Sequence, residues 1–443
     1  MTIKEKDKMF VTSTFKKTSI ESEEIPDMII IHANELVTMD SKYGVPRIGE
    51  DMSELSIIND GALAVKEDII TFVGSTEDLM SKYPLDQIKI KIDATNKLVT
   101  PGLVDPHTHL IFDGSRETEL AMKLKGMSYL EIHKAGGGIL KTVQETRKAS
   151  LEKLVENGKK ILNRMMAYGT TTVEAKSGYG LTTESELKIL KAIEILNEEH
   201  PLDIVPTFLA AHAIPPEFER NPDKYIELII SEMLPKVAQE GLAEFCDVFC
   251  EKGIFTIPQT RDILNAAKRY GLKPQIHIDE IYDTNGALLA AELNAVQTGH
   301  LLKSNEKGLK AMGEAGTIAT LLPGTPFCLM MKDYAPARKM IDLEVPVALA
   351  TDFNPNCWIE SMQMIIALAC YNMKLSPAEA LVASTINSAC AIDKQDQIGS
   401  IEIGKIADIL IFDIPNHDFL AYQLGVNLIS KVIKNGEIVI NNK

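Results

Sequence analysis

The stretch from Thr100 to His109 reads TPGLVDPHTH. A short apolar run follows a Pro-Gly turn and leads into two histidines that are one residue apart. Side chains at positions i and i+2 of an extended segment point to the same side, so His107 and His109 can bind one metal ion at the end of a strand. A His-x-His pair alone is common. Here it predicts a metal-centred active site, provided that later strand ends supply the missing ligands.

The composition is that of a globular protein with an acidic surface. The 443 residues have room for one large domain and a smaller one, and 45% of them are hydrophobic. The formal net charge of −16 argues against nucleic acid or an anionic membrane as a partner. We find no apolar run long enough to span a bilayer and no signal peptide at the charged N-terminus. We therefore expect a cytoplasmic protein.

The six cysteines are scattered along the chain and do not form the pattern of a disulfide framework. Free thiols in a reducing compartment are the expectation. The pair Cys246 and Cys250 lies in an apolar run, and we interpret both residues as buried strand residues rather than metal ligands.

Both ends of the chain are rich in predicted strands. After a polar segment at residues 1–26, which we interpret as a flexible tail, a hairpin is predicted at residues 61–74 with its turn at residues 66–68. The simplest packing is one small β-sandwich domain built from both ends. Further predicted strands cover residues 28–31, 35–39, 400–403, 407–412 and 430–440.

The middle of the chain alternates predicted strands with helical patterns of 3.6-residue spacing. Such alternation implies right-handed βαβ units, and eight of them predict a TIM-like (β/α)8 barrel. The predicted division is a tail at 1–26, β-sandwich parts at 27–97 and 393–443, and the barrel at 98–392. The eight strands are expected to end near Val104, Ala175, Ala210, Phe249, His277, Thr298, Leu321 and Ala350.

Five of the nine histidines fall just past predicted strand ends, where such barrels place their active sites. They are His107, His109, His212, His277 and His300, and Asp352 follows the eighth strand. Three histidines and one aspartate suit zinc, and iron fits the same ligands. The other histidines, at positions 32, 133, 200 and 417, are interpreted as structural or solvated.

A hydrolase with such a metal also needs groups that move protons and stabilise charge. Glu280 can shuttle a proton, His300 can hold the attacking hydroxide or polarise the substrate oxygen, and Asp352 can accept a proton while bound to metal. Taken singly, Asp352 is equally a helix N-cap, Glu280 a surface acid and His300 an interior hydrogen-bonded residue. Their combination with the two leading histidines indicates a metal site.

Two further stretches bear on the substrate. The three glycines at 136–138 lack the pattern of a phosphate-binding loop and are interpreted as a loop near the mouth of the site. Tyr179 follows the second predicted strand and is expected to face the substrate. Arg116 is suited to a substrate carboxylate, with a structural ion pair as the equal alternative.

At these residues the chain resembles the imidazolonepropionase family of the amidohydrolase superfamily. The resemblance runs from about residue 29 to residue 437. The DPHTH motif is common to the superfamily, whereas KSGYG and DFNP are more specific. The stretches that carry the resemblance are DPHTH (105–109), GSR (114–116), SYLEI (128–132), GGGI (136–139), EAKSGYG (174–180), FCEKG (249–253) and TDFNP (351–355).

The resemblance implies hydrolysis of 4-imidazolone-5-propanoate to N-formimino-L-glutamate in histidine degradation, by a homodimer with one Zn2+ (or Fe2+/Fe3+) ion per subunit. It implies that Glu280 and His300 act on the water and the ring, with Asp352 as the third catalytic residue. The implied metal ligands are His107, His109, His277 and Asp352. The implied substrate-binding positions are Arg116, Tyr129, Tyr179, His212, Glu280, Asn354, Asn356 and Cys357.

The chain departs from the common family pattern in three places. Asn356 and Cys357 stand where many members carry glycine and a small hydroxyl residue, Gly299 stands where an aspartate is frequent, and Ile278 replaces a small residue. None of these removes a ligand or an acid/base group. Lys252 lies in a Glu-Lys-Gly turn and is not placed as a carbamylated bridge, so one metal ion is expected rather than two.

Two alternatives share this sequence pattern. An aminohydrolase of purines or pyrimidines would use the same metal chemistry, and recognition of a carboxylate by Arg116, Tyr129 and Tyr179 distinguishes it. A non-catalytic relative would be expected to have lost a ligand or the acid/base pair, and the chain retains all of them.

Overall fold

The computed structural model describes residues 24–127, Glu131 and residues 137–442. Tyr129, His133, Gly136 and nearly all of the predicted tail lie outside the described residues. Within them, no helix is long and apolar enough to span a bilayer.

The described residues contain sixteen strands, which form two eight-stranded sheets. Strands β1–β5 and β14–β16 form the first sheet, and β6–β13 form the second. In chain order the strands are β1 Met28–Val37, β2 Ile57–Lys66, β3 Ile69–Ser75, β4 Ile90–Asp93, β5 Leu98–Pro101, β6 Leu103–Thr108, β7 Thr170–Lys176, β8 Asp203–Ala211, β9 Phe245–Cys250, β10 Lys273–Ile278, β11 Gln297–His300, β12 Ile318–Leu321, β13 Val347–Leu349, β14 Ile409–Phe412, β15 Ile429–Lys434 and β16 Glu437–Asn441.

The second sheet is a parallel barrel in which each strand pairs with its neighbour in sequence. A parallel bridge between Thr108 and Phe353 joins the segment that follows its last strand to the first strand. Two backbone bonds support this closure, from Asp352 N to His107 O at 3.1 Å and from His109 N to Phe353 O at 2.8 Å. The closing seam of the barrel is therefore also the place where predicted site residues meet.

Helices follow most barrel strands and bury apolar residues against them. Several begin at capping residues, such as Thr256, whose side chain and Gln259 form a reciprocal capping box. The α-helices are Thr76–Lys82, Glu117–Leu124, Ile139–Lys148, Leu151–Ala167, Thr183–Glu199, Pro222–Leu228, Leu234–Glu240, Ile257–Arg269, Gly286–Glu292, Glu306–Ala315, Gly324–Cys328, Ala337–Asp342, Met362–Met373, Pro377–Ala383, Ile386–Ala391 and Phe419–Tyr422.

The first sheet unites the two ends of the chain. Its order is β16-β15-β14-β5-β1-β2-β3, with β4 paired to β1, and most of its pairs are antiparallel. The central link is the antiparallel pair of β5 with β14. The fold class is confirmed: a TIM-like barrel and a separate β domain from both chain ends. The expected start of the barrel at residue 98 coincides with β5, which belongs to the end sheet.

One predicted strand is wrong. Residues 400–403 form no strand and run instead into a turn that ends at Gly404, which has a φ of +91°. Backbone bonds from Ile401 N to Thr38 O and from Gly404 N to Ile70 O hold this segment against the end sheet. Of the two alternating apolar residues, Ile401 is buried in the core of that sheet and Ile403 is exposed.

A buried ammonium group fixes the end sheet to the barrel. Lys434 on β15 lies 2.7 Å from the carboxylate of Asp203 on barrel strand β8, and 2.8 Å from that of Asp408. Lys434 and Asp408 are both buried. The ion pair therefore fixes the position of one sheet relative to the other.

Candidate metal centre

Four side chains converge at the carboxyl ends of the barrel strands. His107 and His109 come from the end of β6, His277 from β10, and Asp352 follows β13. His107 Nε2 lies 3.0 Å from His277 Nε2, and His277 Nε2 lies 3.4 Å from His109 Nε2. Asp352 Oδ1 lies 3.5 Å from His109 Nε2 and 3.8 Å from His107 Nε2.

These four distances are close to the spacing of ligands around one metal ion. His107, His109 and His277 form one group that could hold an ion, and His107, His300 and Asp352 form a second, overlapping group. Tetrahedral ligands at about 2.1 Å from zinc lie ~3.4 Å apart. Asp352 Oδ1 is buried and has no hydrogen-bond partner in the structure, which is costly unless a cation accompanies it. Burial also lowers the pKa values of His107 and His109 well below their ordinary value. Neutral imidazoles keep the lone pairs that a metal needs, so the residues present fit a metal ion.

The backbone at this centre is unusual. Asp352 has a φ of +49° and His300 a φ of +76°, both in the left-handed region that residues other than glycine rarely adopt. Such conformations persist where the surroundings fix them, and they cluster at functional sites. The second oxygen of Asp352, Oδ2, accepts a hydrogen bond from the Thr325 hydroxyl, so the side chain is held with Oδ1 facing the histidines.

Gly299 explains how His107 comes so close to the neighbouring strands. A Cβ atom built on Gly299 would lie 2.6 Å from Cε1 of the His107 ring, closer than real Cβ contacts. The glycine, noted above as a departure from the family pattern, therefore leaves the space that the His107 imidazole occupies.

His277 is oriented by a buried carboxylate that sequence reasoning did not assign. Its Nδ1 atom lies 3.0 Å from Oδ2 of Asp247 on β9. The same oxygen lies 2.9 Å from the ammonium of Lys176, which is fully buried on β7. Burial alone would raise the pKa of Asp247, but His277 and Lys176 hold it below its ordinary value.

Lys176 is the centre of a polar layer inside the barrel. Its Nζ also donates to Glu174 Oε1 at 2.8 Å and to Gln275 Oε1 at 3.0 Å. Glu174 in turn accepts the backbone N–H of Thr108, between the two leading histidines. A charged residue within an otherwise apolar barrel strand, as Asp247 is in FCDVFC, was the signal in the sequence that marked this layer.

Glu280 and His300 lie side by side next to the centre. Glu280 Oε2 is 3.8 Å from His300 Nε2. Burial raises the pKa of Glu280 to about 7, a value suited to taking up and releasing a proton near neutral pH. Burial lowers the pKa of His300 to about 4, so this imidazole is neutral and can donate one hydrogen bond.

His212 and Tyr179 form an aromatic wall beside the histidine ligands. The His212 ring stacks on His109 with centroids 4.8 Å apart, and the Tyr179 ring lies 5.2 Å from His212. His212 Nδ1 lies 3.0 Å from Gly178 O, which assigns the proton of the neutral ring to Nδ1. The structure therefore brings both residues to the centre.

Glu186, which the sequence analysis missed, holds the loop that carries Tyr179. This buried carboxylate accepts the backbone N–H groups of Gly178, Gly180 and Leu181 at 2.7–2.9 Å. Three such bonds to one acceptor fix the conformation of the loop. An acid four residues after the N-cap Thr182 was interpretable from the sequence only as part of a helix start.

Arg116 is buried and already has a carboxylate partner in the chain. Its Nε and Nη2 atoms donate to the two oxygens of Glu119 at 2.9 and 2.7 Å. Glu119 Oε1 also accepts the N–H of Gly138 at 2.8 Å, so the pair fixes the end of the glycine loop. The remaining N–H groups of the guanidinium are the ones that a ligand can use.

In the loop after Asp352, the side chain of Asn354 forms hydrogen bonds within the loop itself. Asn354 donates to Asp352 O and accepts from the N–H groups of Asn356 and Cys357. The Cys357 thiol is buried and lies 3.6 Å from Thr351 O. Asn356 Oδ1 accepts a hydrogen bond from Lys123 Nζ. Asn354 and Cys357 thus shape the loop, and Tyr129 lies outside the described residues.

A family model described as the amidohydrolase family matches residues 98–439. The imidazolonepropionase of Alkaliphilus metalliredigens is 52% identical to the chain over 417 residues, which cover 94% of this chain and 98% of that protein. The imidazolonepropionase of Shouchella clausii is 50% identical over 410 residues, 92% of each chain.

Solved structures show the same fold at low identity. An adenosine deaminase from Xanthomonas campestris with bound zinc has a TM-score of 0.70 and 18% identity, over 95% of this chain and 94% of that one. A 5-methylcytosine deaminase from Klebsiella pneumoniae has a TM-score of 0.70 and 16% identity, over 94% and 98%.

The barrel with its strand-end centre defines an amidohydrolase, and the family match extends over most of the chain. Within that family, the chain belongs to the imidazolonepropionases.

Proposed function

We propose that this enzyme hydrolyses the cyclic amide bond of 4-imidazolone-5-propanoate to give N-formimino-L-glutamate, a step of histidine degradation. The observation that carries the proposal is the convergence of three imidazole nitrogens and Asp352 Oδ1, beside Glu280 and His300. Each of these four atoms lies within 4 Å of at least one of the others. The family membership supplies the substrate class.

His107, His109, His277 and Asp352 are the residues that would hold the metal ion, with zinc or iron both compatible with this ligand set. When bound, the ion supplies Lewis acidity that lowers the pKa of a water molecule to about 7. Lys176 and Asp247 contribute by fixing the orientation of His277.

Glu280 is proposed to move the proton. As a carboxylate it accepts a proton from the attacking water, and as a carboxylic acid it returns that proton to the ring nitrogen that leaves. A pKa of about 7 permits both directions near neutral pH. Its separation of 3.8 Å from His300 allows both side chains to contact the same reacting group.

His300 is proposed to hold the substrate carbonyl oxygen with its N–H group as negative charge develops there. His212 and Tyr179 position the ring beside the His109 imidazole, and Arg116 binds the propanoate carboxylate. Tyr129 is part of this proposal through the family resemblance. Asp352 is proposed to assist as a proton acceptor.

The metal centre alone would also serve an aminohydrolase of purines or pyrimidines. Substrates of that class carry no carboxylate, whereas the imidazolone carries one that the guanidinium of Arg116 is suited to bind. An Arg116→Ala variant that kept full activity on 4-imidazolone-5-propanoate would contradict the assignment.

The decisive experiment is to incubate the purified protein, with its metal content measured, with freshly made 4-imidazolone-5-propanoate. The loss of the ultraviolet absorbance of the substrate reports turnover. We expect turnover that disappears on chelation and returns on addition of zinc. A folded protein with one bound metal ion and no turnover would move the substrate to another cyclic amide or amidine.

We further propose one metal ion per subunit, a homodimer and a cytoplasmic location. The homodimer follows from the family resemblance. All six cysteines are free thiols, which agrees with a reducing compartment. Metal analysis of protein purified without added metal would decide between zinc and iron.

A further inference from the structure

Lys123 is a half-buried cation at the edge of the site that the proposed function does not use. It lies on the helix Glu117–Leu124, which begins directly after Arg116. Its ammonium donates to Oδ1 of Asn356, in the loop that follows Asp352. Among the described residues, no carboxylate oxygen lies within 4.0 Å of this ammonium.

The charges around Lys123 do not balance. Glu119 is buried and already engaged by Arg116 through two hydrogen bonds. Lys123 lies close enough to the guanidinium that burial, and then the charge of Arg116, lower the pKa of its ammonium. Within the part of the chain that the structure describes, these two cations share one carboxylate, and the other groups whose charge acts on Lys123 are the thiols of Cys328 and Cys357. A partly desolvated ammonium without a carboxylate partner is unfavourable unless an anion completes the site.

The Lys123 ammonium contacts the loop that follows Asp352, one of the candidate metal ligands. Asn356 follows Asp352 by four residues, and the intervening Asn354 fixes the loop by bonding to Asp352 O and to Asn356 N. The side chain of Lys123 therefore links the helix Glu117–Leu124 to the loop that follows Asp352. An anion held between Arg116 and Lys123 would lie next to the loop that follows Asp352.

We propose that Lys123 is a second carboxylate-binding residue, which grips the propanoate group of the substrate together with Arg116, and that Asn356 holds its ammonium in place. This inference rests on the proposed function, which supplies the carboxylate. It also gives a role to Asn356, which stands where many members of the family carry glycine.

The test compares two ligands on zinc-loaded, full-length protein by calorimetry. One is 3-(imidazol-4-yl)propanoate and the other is its uncharged amide, which differ only in the group that Lys123 would bind. For Lys123→Met we expect carboxylate affinity to fall ~10- to 100-fold, as for loss of one charge-assisted contact, with amide affinity unchanged. Lys123→Arg should restore part of the loss, and Lys125→Met, an exposed lysine on the same helix end, should change neither ligand.

Turnover gives a second readout. In Lys123→Met the KM for 4-imidazolone-5-propanoate should rise while kcat changes little, because the contact binds substrate and transition state alike. Zinc content should equal that of the unaltered protein.

Two results would overturn the inference: unchanged carboxylate affinity in Lys123→Met, or an equal loss for both ligands, which would mean that Lys123 only supports the Asn356 loop. Failure of the proposed function looks different. In that case the unaltered protein would not hydrolyse the imidazolone, while the preference for carboxylate over amide would still depend on Lys123.

Discussion

His277 Nδ1 and Asp247 Oδ2 lie 3.0 Å apart, on neighbouring strands of the barrel and directly beneath the candidate metal centre. In the tautomer that binds a metal through Nε2, the proton of His277 is on Nδ1, next to the negative charge of this carboxylate. Carboxylate partners of this kind fix the ring orientation and raise the basicity of the ligand. The strength of metal binding thus depends on a residue that does not touch the metal.

Asp247→Asn should weaken zinc binding ~10- to 100-fold, because the amide neither carries the charge that favours His277 as a ligand nor pairs with the buried Lys176. Competition with a chelator of known affinity measures the effect. Asp262→Asn, an exposed aspartate on the next helix, is the matched control. Equal zinc affinity in both variants would show that the contact has no role in metal binding.

Glu280→Gln should keep its metal and lose turnover by ~10²- to 10⁴-fold, as expected for removal of a general acid/base. Glutamine preserves the shape of the side chain but cannot carry the proton. Metal content and kcat are to be measured on the same preparation. Loss of the metal in this variant would mean that Glu280 acts as a ligand instead.

The pH profile should show the titration of Glu280. Burial raises the pKa of its carboxyl group to about 7, so the group keeps its proton below that pH and cannot accept one from water. We therefore expect kcat/KM to increase as the pH rises through about 7. The residual activity of Glu280→Gln should lack this limb, and an unchanged profile there would assign the limb to another group.

The histidines and Asp352 could be predicted because barrel strands are short, apolar and evenly spaced, so residues just after them are conspicuous. The structure brings His107, His109 and His277 together and places Asp352 beside His107 and His109, as that pattern indicated. Their assignment as ligands stays a prediction until metal is measured. The eight barrel strands were predicted for the same reason.

Other features could not be predicted because they depend on contacts distant in sequence. Nothing in the local sequence predicts that Lys176 forms an ion pair with Asp247, or that Arg116 donates two hydrogen bonds to Glu119. The segment at residues 400–403 was wrongly predicted as a strand, because its sequence alternates polar and apolar residues although Ile403 is exposed.

Lys434→Met should destabilise the fold by ~3–5 kcal/mol, because it leaves the buried Asp408 without its cation. The free energy of unfolding can be measured by urea denaturation. Lys431→Met on the same strand, whose side chain is partly exposed, should change it little. Adding Asp408→Asn to Lys434→Met should recover part of the loss, and additive losses would contradict pairing.

The pairing of β5 with β14 joins residues from opposite ends of the chain, such as Leu98 with Phe412. During synthesis on the ribosome, β5 emerges early, whereas its partner emerges only when the last strands are made. For most of translation, one edge of the nascent sheet is therefore an open template for other chains. The end sheet is thus exposed to pairing with other chains until β14 has been made.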